Sequence, residues 1–321
     1  MLILSETDIQ KVIDISEVAD ALERAYLLYD QKQYVMDQRL QLSDNQNTLL
    51  LMPCIADKTM GTKIVSVFPD NEAYPVTQGL MLLLDGETGQ IKAILNGTTL
   101  TNMRTGSIGG LAIRHLTSPR IRTIGLVGLG VQGLYQLMAA CKERRVKRII
   151  LLNRSRKKTA AFIEKLKKHI DPEIDIVTED SPEKLVIESD VTITATTSKD
   201  PVLPNDGSLY KGKLVIGIGS FQPGMREFPE ALFREASYLL IDTLDALQET
   251  GDLIDPIKNQ WIGPHQIRPF SHVLSKKATI NKQDEKSVLF KSAGMALFDV
   301  VAANEIYQRA KKLNIGQKIF L

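Results

Sequence analysis

The sequence predicts an α/β protein in which a doubly wound parallel sheet is joined to a separate α+β unit. Three observations predict it. From Ile121 onward, short apolar runs alternate with helical patterns, the rhythm of parallel strands linked by helical crossovers. The first of these runs ends in Gly128-x-Gly130-x-x-Gly133 and passes at once into the apolar helical positions Leu134, Leu137, Met138 and Cys141. Before Pro119 the rhythm differs, with strand-length runs grouped together between helices.

In chain order, Ser5 and Ser16 read as successive helix N-caps, Ser5 with Asp8 in the places of a capping box. Val18, Leu22, Ala25, Tyr26 and Tyr29 recur at helical spacing, so one face of that helix is buried. Strands are expected at 48–52, 61–68 and 78–84, the last turned by Asp85-Gly86-Glu87-Thr88-Gly89 into 90–95. Gly86 and Gly89 are read there as the positive-φ positions of a hairpin. Residues 98–116 read as a helix crowded with Thr105, Gly106, Ser107, Gly109, Gly110 and Ala112. Glycine weakens a helix, so this run implies close approach of another backbone or of a ligand. After Pro119, strands are expected at 121–127, 148–152, 174–177, 190–195, 213–218 and 238–241. Residues 286–312 read as one long final helix that returns to the front unit. The domain expectation is therefore 1–118 with 295–321 against 119–294.

Composition narrows the function classes. A chain of 321 residues, 43% apolar and 24% charged, is of ordinary globular type and long enough for two domains. A net charge of +2 gives no footprint for nucleic acid or an anionic membrane. No apolar run approaches the roughly 20 residues of a membrane span. The N-terminal residues lack the pattern of a signal peptide. Cys54 and Cys141 make neither a disulfide framework nor a zinc site, which fits a cytoplasmic location. His115, His169, His265 and His272 are scattered, so no metal is expected.

The glycine motif carries the first functional reading, because a strand precedes it and a helix follows. Gly128 allows the tight turn, Gly130 lets backbone approach a pyrophosphate, and Gly133 lets helix and strand pack closely. The helix N-terminus then offers unpaired N–H groups to phosphates. This is a Rossmann-type dinucleotide site. At the end of the second strand, Asn153-Arg154-Ser155 stands where NAD-specific sites place an acid, and Arg156, Lys157 and Lys158 follow. With no carboxylate to repel a 2′-phosphate and cations to bind one, NADP(H) is favoured over NAD(H). Thr196, among small polar residues closing the fourth strand, suits a loop under the nucleotide. The front unit should then hold the substrate. In Gly61-Thr-Lys-Ile-Val-Ser-Val-Phe, Lys63 shares a face with Val65 and Val67, where it either snorkels at a rim or holds an anion. Arg104 lies among small helical neighbours, and Arg39 is less distinctive; substrate binding and a salt-bridge role are both open for each.

These stretches resemble the ornithine cyclodeaminase/mu-crystallin family along essentially the whole chain. The resemblance is carried by Leu51-Met52-Pro53, Gly61 to Pro69, Leu100-Thr-Asn-Met-Arg-Thr-Gly-Ser107, Gly128-Leu-Gly-Val-Gln-Gly133, Asn153-Arg-Ser155, Gly219-Ser-Phe-Gln-Pro-Gly-Met-Arg-Glu227 and Phe290-Lys-Ser-Ala-Gly294. It implies that Arg39, Lys63 and Arg104 bind a substrate α-carboxylate with Thr77 and Gln78 nearby; for an imine reduction, Lys63 and a bound water are the two candidate proton donors. It places Thr105, Val131, Gln132 and Gly219 with Gly128, Gly130, Gly133, Asn153, Arg154, Ser155 and Thr196 around the cofactor. It also implies a discontinuous α+β substrate-binding and dimerisation domain, hence a homodimer. Two positions depart from true ornithine cyclodeaminases. Leu50 replaces a glutamate before the Met-Pro pair, and Phe221 aligns with an aspartate that handles a proton or water in cyclisation. A phenyl ring cannot do that. The resemblance therefore points to NADPH-dependent reduction of a small, cyclic α-imino acid such as Δ1-pyrroline-2-carboxylate or Δ1-piperideine-2-carboxylate. Ornithine cyclodeaminase and alanine dehydrogenase activities are its enzymatic alternatives, and a non-catalytic binding role like that of mu-crystallin is the alternative of another class.

Overall fold

The chain enters through two capped helices, and the caps show how local chemistry sets their starts. β1 (Leu2–Leu4) leads to α1 (Glu6–Val12), where Ser5 Oγ accepts the Asp8 amide at 3.3 Å and Asp8 accepts the Ser5 amide at 3.0 Å, the box expected. α2 (Ile15–Asp30) starts two residues earlier than the sequence reading placed it. Its cap is Asp14, which accepts the amides of Ser16 and Glu17 at 2.9 and 3.0 Å, while the Ser16 hydroxyl merely donates to Asp14. The carboxylate takes both amides and faces the positive helix end, which a hydroxyl cannot match. The computed structural model describes residues 1–280 and 286–320, and the chain divides into two units: Met1–Arg104 with the segment from Met295 onward, and Thr105–Gly294.

In the first unit, β2 (Tyr34–Met36), β3 (Leu40–Asp44), β4 (Asn47–Ala56), β5 (Thr59–Val67), β6 (Thr77–Asp85) and β7 (Ile91–Asn96) build an antiparallel sheet in the order β7-β6-β5-β4-β2. β3 also pairs with β4, and β1 adds in parallel to β7. At the β6–β7 turn, Asp85 Oδ1 accepts the amides of Glu87 and Thr88 at 3.1 and 2.9 Å. Only Gly89 has a left-handed backbone there, at φ 72°. Gly86 is needed for space instead, since a Cβ would lie 2.5 Å from the Lys58 carbonyl carbon. α3 (Gly97–Leu116) follows, and the division between units falls inside it, after Arg104, rather than at residue 118.

The second unit contains β8 (Thr123–Val127), α4 (Val131–Glu143), β9 (Arg148–Leu152), α5 (Thr159–Lys167), β10 (Asp175–Thr178), α6 (Pro182–Glu188), β11 (Val191–Thr194), β12 (Leu214–Gly217), α7 (Glu230–Glu235), β13 (Ala236–Ile241), α8 (Gly251–Lys258), β14 (Ile267–Pro269), α9 (Phe270–Leu274) and β15 (Ser287–Lys291). All eight strands are parallel, ordered β10-β9-β8-β11-β12-β15-β13-β14. This is the doubly wound sheet expected. The glycines of α3 admit a backbone: a Cβ on Gly106 would meet the Tyr135 carbonyl oxygen at 2.6 Å, and one on Gly110 the Ala139 Cβ at 3.0 Å. They are the seat of α4.

Residues 286–312 do not form one helix. β15 inserts between β12 and β13, Gly294 turns the chain at φ 76°, and α10 (Ala296–Leu313) starts only after it. Every residue of β15 is buried, and its apolar centre Val288-Leu289-Phe290 packs on both faces as a central parallel strand requires. α10 returns to the first unit, where it packs on α2 and on β4 and β5, and Phe298 lies 4.7 Å from Tyr26, ring centre to ring centre. β16 (Gln317–Lys318) then pairs antiparallel with β1. No described helix is long and apolar enough to cross a membrane.

Candidate active site

The inner face of the first unit's sheet carries an ionic group that hydrophobic patterning alone would forbid. Thr59, Gly61, Lys63 and Val65 alternate inward on β5, so Lys63 does side with Val65 and is 2% exposed. Its Nζ donates to Asp299 Oδ2 at 2.7 Å. Arg104, also buried at the end of the first unit's share of α3, donates from Nε to Asp299 Oδ1 at 3.1 Å. One buried carboxylate on α10 thus bridges two cations from different elements. Burial pushes the Lys63 ammonium down to about 8; Asp299 pulls it back up, while Arg104 and Arg39 add to the lowering. Arg39, half-buried ahead of β3, therefore lies within electrostatic reach of Lys63. Lys63 and Arg104 share the one Asp299 carboxylate, and two positive groups against one negative leave an excess that an anionic substrate would neutralise.

The other residues expected near the substrate are not all brought there. Thr77 pairs with Val67 and Gln78 with Ser66, so Gln78 stands on the opposite sheet face from Lys63, together with Leu80. Strand alternation separates it from the cluster. Leu50, in the glutamate position of true cyclodeaminases, pairs with buried Val65 and offers no acid. Cys54, on the same face of β4, has its thiol pushed up to about 12 by burial and then by Asp299, so it is a neutral, inert wall.

In the second unit the expected cofactor residues converge on the C-terminal ends of four neighbouring strands. β8 lies between β9 and β11, the point where strand order reverses and nucleotides bind. Gly128 turns the chain at φ 102°, and a Cβ there would meet the Ala195 carbonyl oxygen at 2.6 Å. A Cβ added at Gly133 would lie 2.4 Å from the Gly128 carbonyl oxygen, so only glycine fits there. At Gly130 an added Cβ would meet nothing within 4 Å, which is the open space that a pyrophosphate needs at the start of α4. Val131 is 58% exposed beside it, and Gln132 is half-buried in the first turn. Asn153 Oδ1 accepts the Leu129 amide at 3.3 Å and its Nδ2 donates to the Ser155 carbonyl at 2.8 Å, locking the glycine turn to the end of β9. Arg154 is exposed there, and Arg156 pairs with Asp180. Thr105 is buried, its carbonyl accepting Gln136 Nε2 at 2.7 Å. The residues fit a dinucleotide.

Thr196 and Gly219 are held by a residue that pattern reading left without a role. Glu227, fully buried, accepts the Thr196 amide and hydroxyl at 2.7 and 2.9 Å on Oε1, and the amides of Gly219 and Ser220 at 2.8 and 3.2 Å on Oε2. Burial raises its pKa, and Lys291 opposes the rise. Lys291 lies 3.6 Å from Asp252, whose other oxygen accepts the amides of Glu227 and Phe228. Asp242 similarly gathers Ser292 Oγ and the amides of Ala293 and Gly294. Asp299 carries a sequence signal, an acid inside an otherwise apolar run, but its partners are far away along the chain, whereas Glu227 stands in a polar, proline-flanked stretch. Phe221, between these anchored loops, is 38% exposed and brings no proton carrier. Among the described residues no group of three or more His, Cys, Asp or Glu could hold a metal.

A parallel sheet with a glycine turn at its reversal point, together with an α+β unit whose buried face holds excess positive charge, defines a two-unit protein of the dinucleotide-binding oxidoreductase type. The match to known sequences makes this particular. The chain belongs to the ornithine cyclodeaminase/mu-crystallin family, which it matches over residues 1–314. It is 30% identical to a Δ1-pyrroline-2-carboxylate reductase of Bacillus cereus, with 99% of each chain covered. Among solved structures, a Δ1-pyrroline-2-carboxylate reductase of Thermococcus litoralis in complex with NADH and L-proline superposes with a TM-score of 0.92 at 28% identity, covering 99% of this chain and 100% of the other. An archaeal alanine dehydrogenase dimer with bound NAD gives 0.91 at 26% identity, covering 100% and 99%.

Proposed function

We propose that the protein reduces a small cyclic α-imino acid, Δ1-pyrroline-2-carboxylate first among them, at the expense of NADPH. The observation that carries this reading is the buried excess of cations around Asp299, supported by the reductase relatives. The first unit recognises the α-carboxylate: Arg104 has N–H donors beyond the one given to Asp299 and matches a carboxylate in shape, and Lys63 and Arg39 add charge. Fixing the carboxylate fixes the adjacent C=N carbon, and such positioning supplies much of the rate in reactions of this kind. A reduced nicotinamide bound at the glycine turn supplies the hydride. Binding an anion also favours the charged form of Lys63, so substrate arrives with a protonated neighbour.

NADPH is preferred because Asn153-Arg154-Ser155 offers an exposed guanidinium and a hydroxyl where an acid would exclude the 2′-phosphate. The functional unit is a homodimer, supported by the outer face of the first unit's sheet. There Leu40, Leu42, Leu49, Ile55 and Leu80 are all more than a third exposed, with Leu42 paired to Leu49. A face of that kind marks an interaction surface. A panel of imino acids assayed with NADPH and NADH tests the reading. NADPH oxidation with Δ1-pyrroline-2-carboxylate, and a lower Kd for NADPH than for NADH, are expected; ornithine-dependent ammonia release without imine reduction would overturn it.

A further inference from the structure

We infer that Asp299 is a positioning residue for proton delivery: its carboxylate holds Lys63 charged and in place as the donor to the imine nitrogen while it presents Arg104 to the substrate carboxylate. The inference rests on the reading of the protein as an imine reductase. In the step, the imine carbon takes a hydride from the reduced nicotinamide, the C=N double bond becomes single, and the nitrogen takes a proton from Lys63. Lys63 is left neutral and regains its proton from solvent.

The geometry carries the assignment. A lysine on the inner face of β5, 2% exposed, is shielded from solvent, and the neighbours from each packed element are unequal in sign. α10 contributes Asp299 at 2.7 Å, α3 contributes Arg104, and the segment before β3 contributes Arg39. β4 contributes Met52 directly opposite and the neutral thiol of Cys54, and β6 contributes Met81. Asp299 is therefore the one group facing Lys63, among those named, that favours the ammonium. Burial alone would discharge it. Because both Asp299 oxygens are engaged, one by each cation, the same side chain also sets the spacing between the proton donor and the carboxylate-binding guanidinium. A helix supplies that rigidity better than a loop, and Asp299 lies in the first turn of α10.

The test is the pH dependence of kcat and kcat/KM for NADPH-dependent reduction of Δ1-pyrroline-2-carboxylate by the wild-type protein, Asp299→Asn and Asp299→Glu. Lys63 must be protonated to act, so wild-type activity should fall as pH rises through about 8. Asp299→Asn should move that falling limb down by about one pH unit or more, lower kcat about a hundredfold at pH 7.5, and leave the Kd for NADPH unchanged. Asp299→Glu, which retains the charge, should keep the limb near its wild-type position while lowering kcat. A packing role alone would not move the limb. Unchanged limbs in both variants would overturn the inference even where wild-type turnover upholds the reductase reading. Should the wild-type protein reduce no imino acid, that reading fails instead. The titration of the Lys63 ammonium followed by NMR, with Lys63→Arg for assignment, then decides the positioning role alone: a lower midpoint in Asp299→Asn supports it and an equal midpoint refutes it. If Asp299→Asn does not fold, the comparison of Asp299→Glu with wild type carries the decision, and a shifted limb there contradicts the account.

Discussion

Each unit buries an ionic cluster, and the two are built on opposite plans. Around Asp299 two cations share one carboxylate, so the positive charge is in surplus. Around Lys291 the surplus is negative, with Glu227 and Asp252 against one ammonium. The second cluster is closed: Glu227 takes four donors from Thr196, Gly219 and Ser220, and Asp252 takes two amides, so backbone N–H groups neutralise what Lys291 does not. The first is open, because the one carboxylate of Asp299 is divided between Lys63 and Arg104. A closed cluster holds loops, while an open one awaits a ligand of the missing sign.

That contrast yields tests of decreasing size. Arg104→Ala should lower kcat/KM for imine reduction about a thousandfold, on the order of 4 kcal/mol, with the Kd for NADPH unchanged. Steady-state kinetics beside a cofactor titration check it; retained activity would mean the open cluster is structural after all. Glu227→Gln should act the other way, lowering stability by about 3 kcal/mol because buried donors lose their anion. Denaturant unfolding measures this, and an unaltered midpoint would erase the distinction between the two plans. Gly130→Val probes the nucleotide end without touching either cluster. Its side chain enters open space in the protein alone, so the melting temperature should stay within about 2 °C while NADPH binds about tenfold more weakly.

The same contrast explains what the sequence could reveal. The glycine turn was legible because its signal is local: Gly128 and Gly133 each answer a constraint set within a few residues or by the adjoining strand, and Gly130 leaves open space between them. Lys63 announced itself as a cation on an apolar strand face, and Arg104 as one among small helical residues. Their shared partner did not, because Asp299 lies 195 or more residues away and sits in a pattern that reads equally well as a helix with one polar position. β15 was hidden for a related reason. Ser287 and Lys291 look like solvent-facing residues until the sheet buries them, and the ion-pair partner of Lys291, Asp252, comes from another element. Gln78 stands on the face opposite Lys63 by register, a quantity that strand pairing decides and composition does not. Long-range pairing was the part of the site that the chain kept to itself.

The measurement that bears most directly on the open cluster is the rate of NADPH oxidation with Δ1-pyrroline-2-carboxylate against that with 1-pyrroline, the same ring without the acid group. A carboxylate held by Arg104, Lys63 and Arg39 predicts rapid turnover of the first and a kcat/KM about a thousandfold lower for the second. Comparable rates for the two rings would show that the buried cations do not grip the substrate.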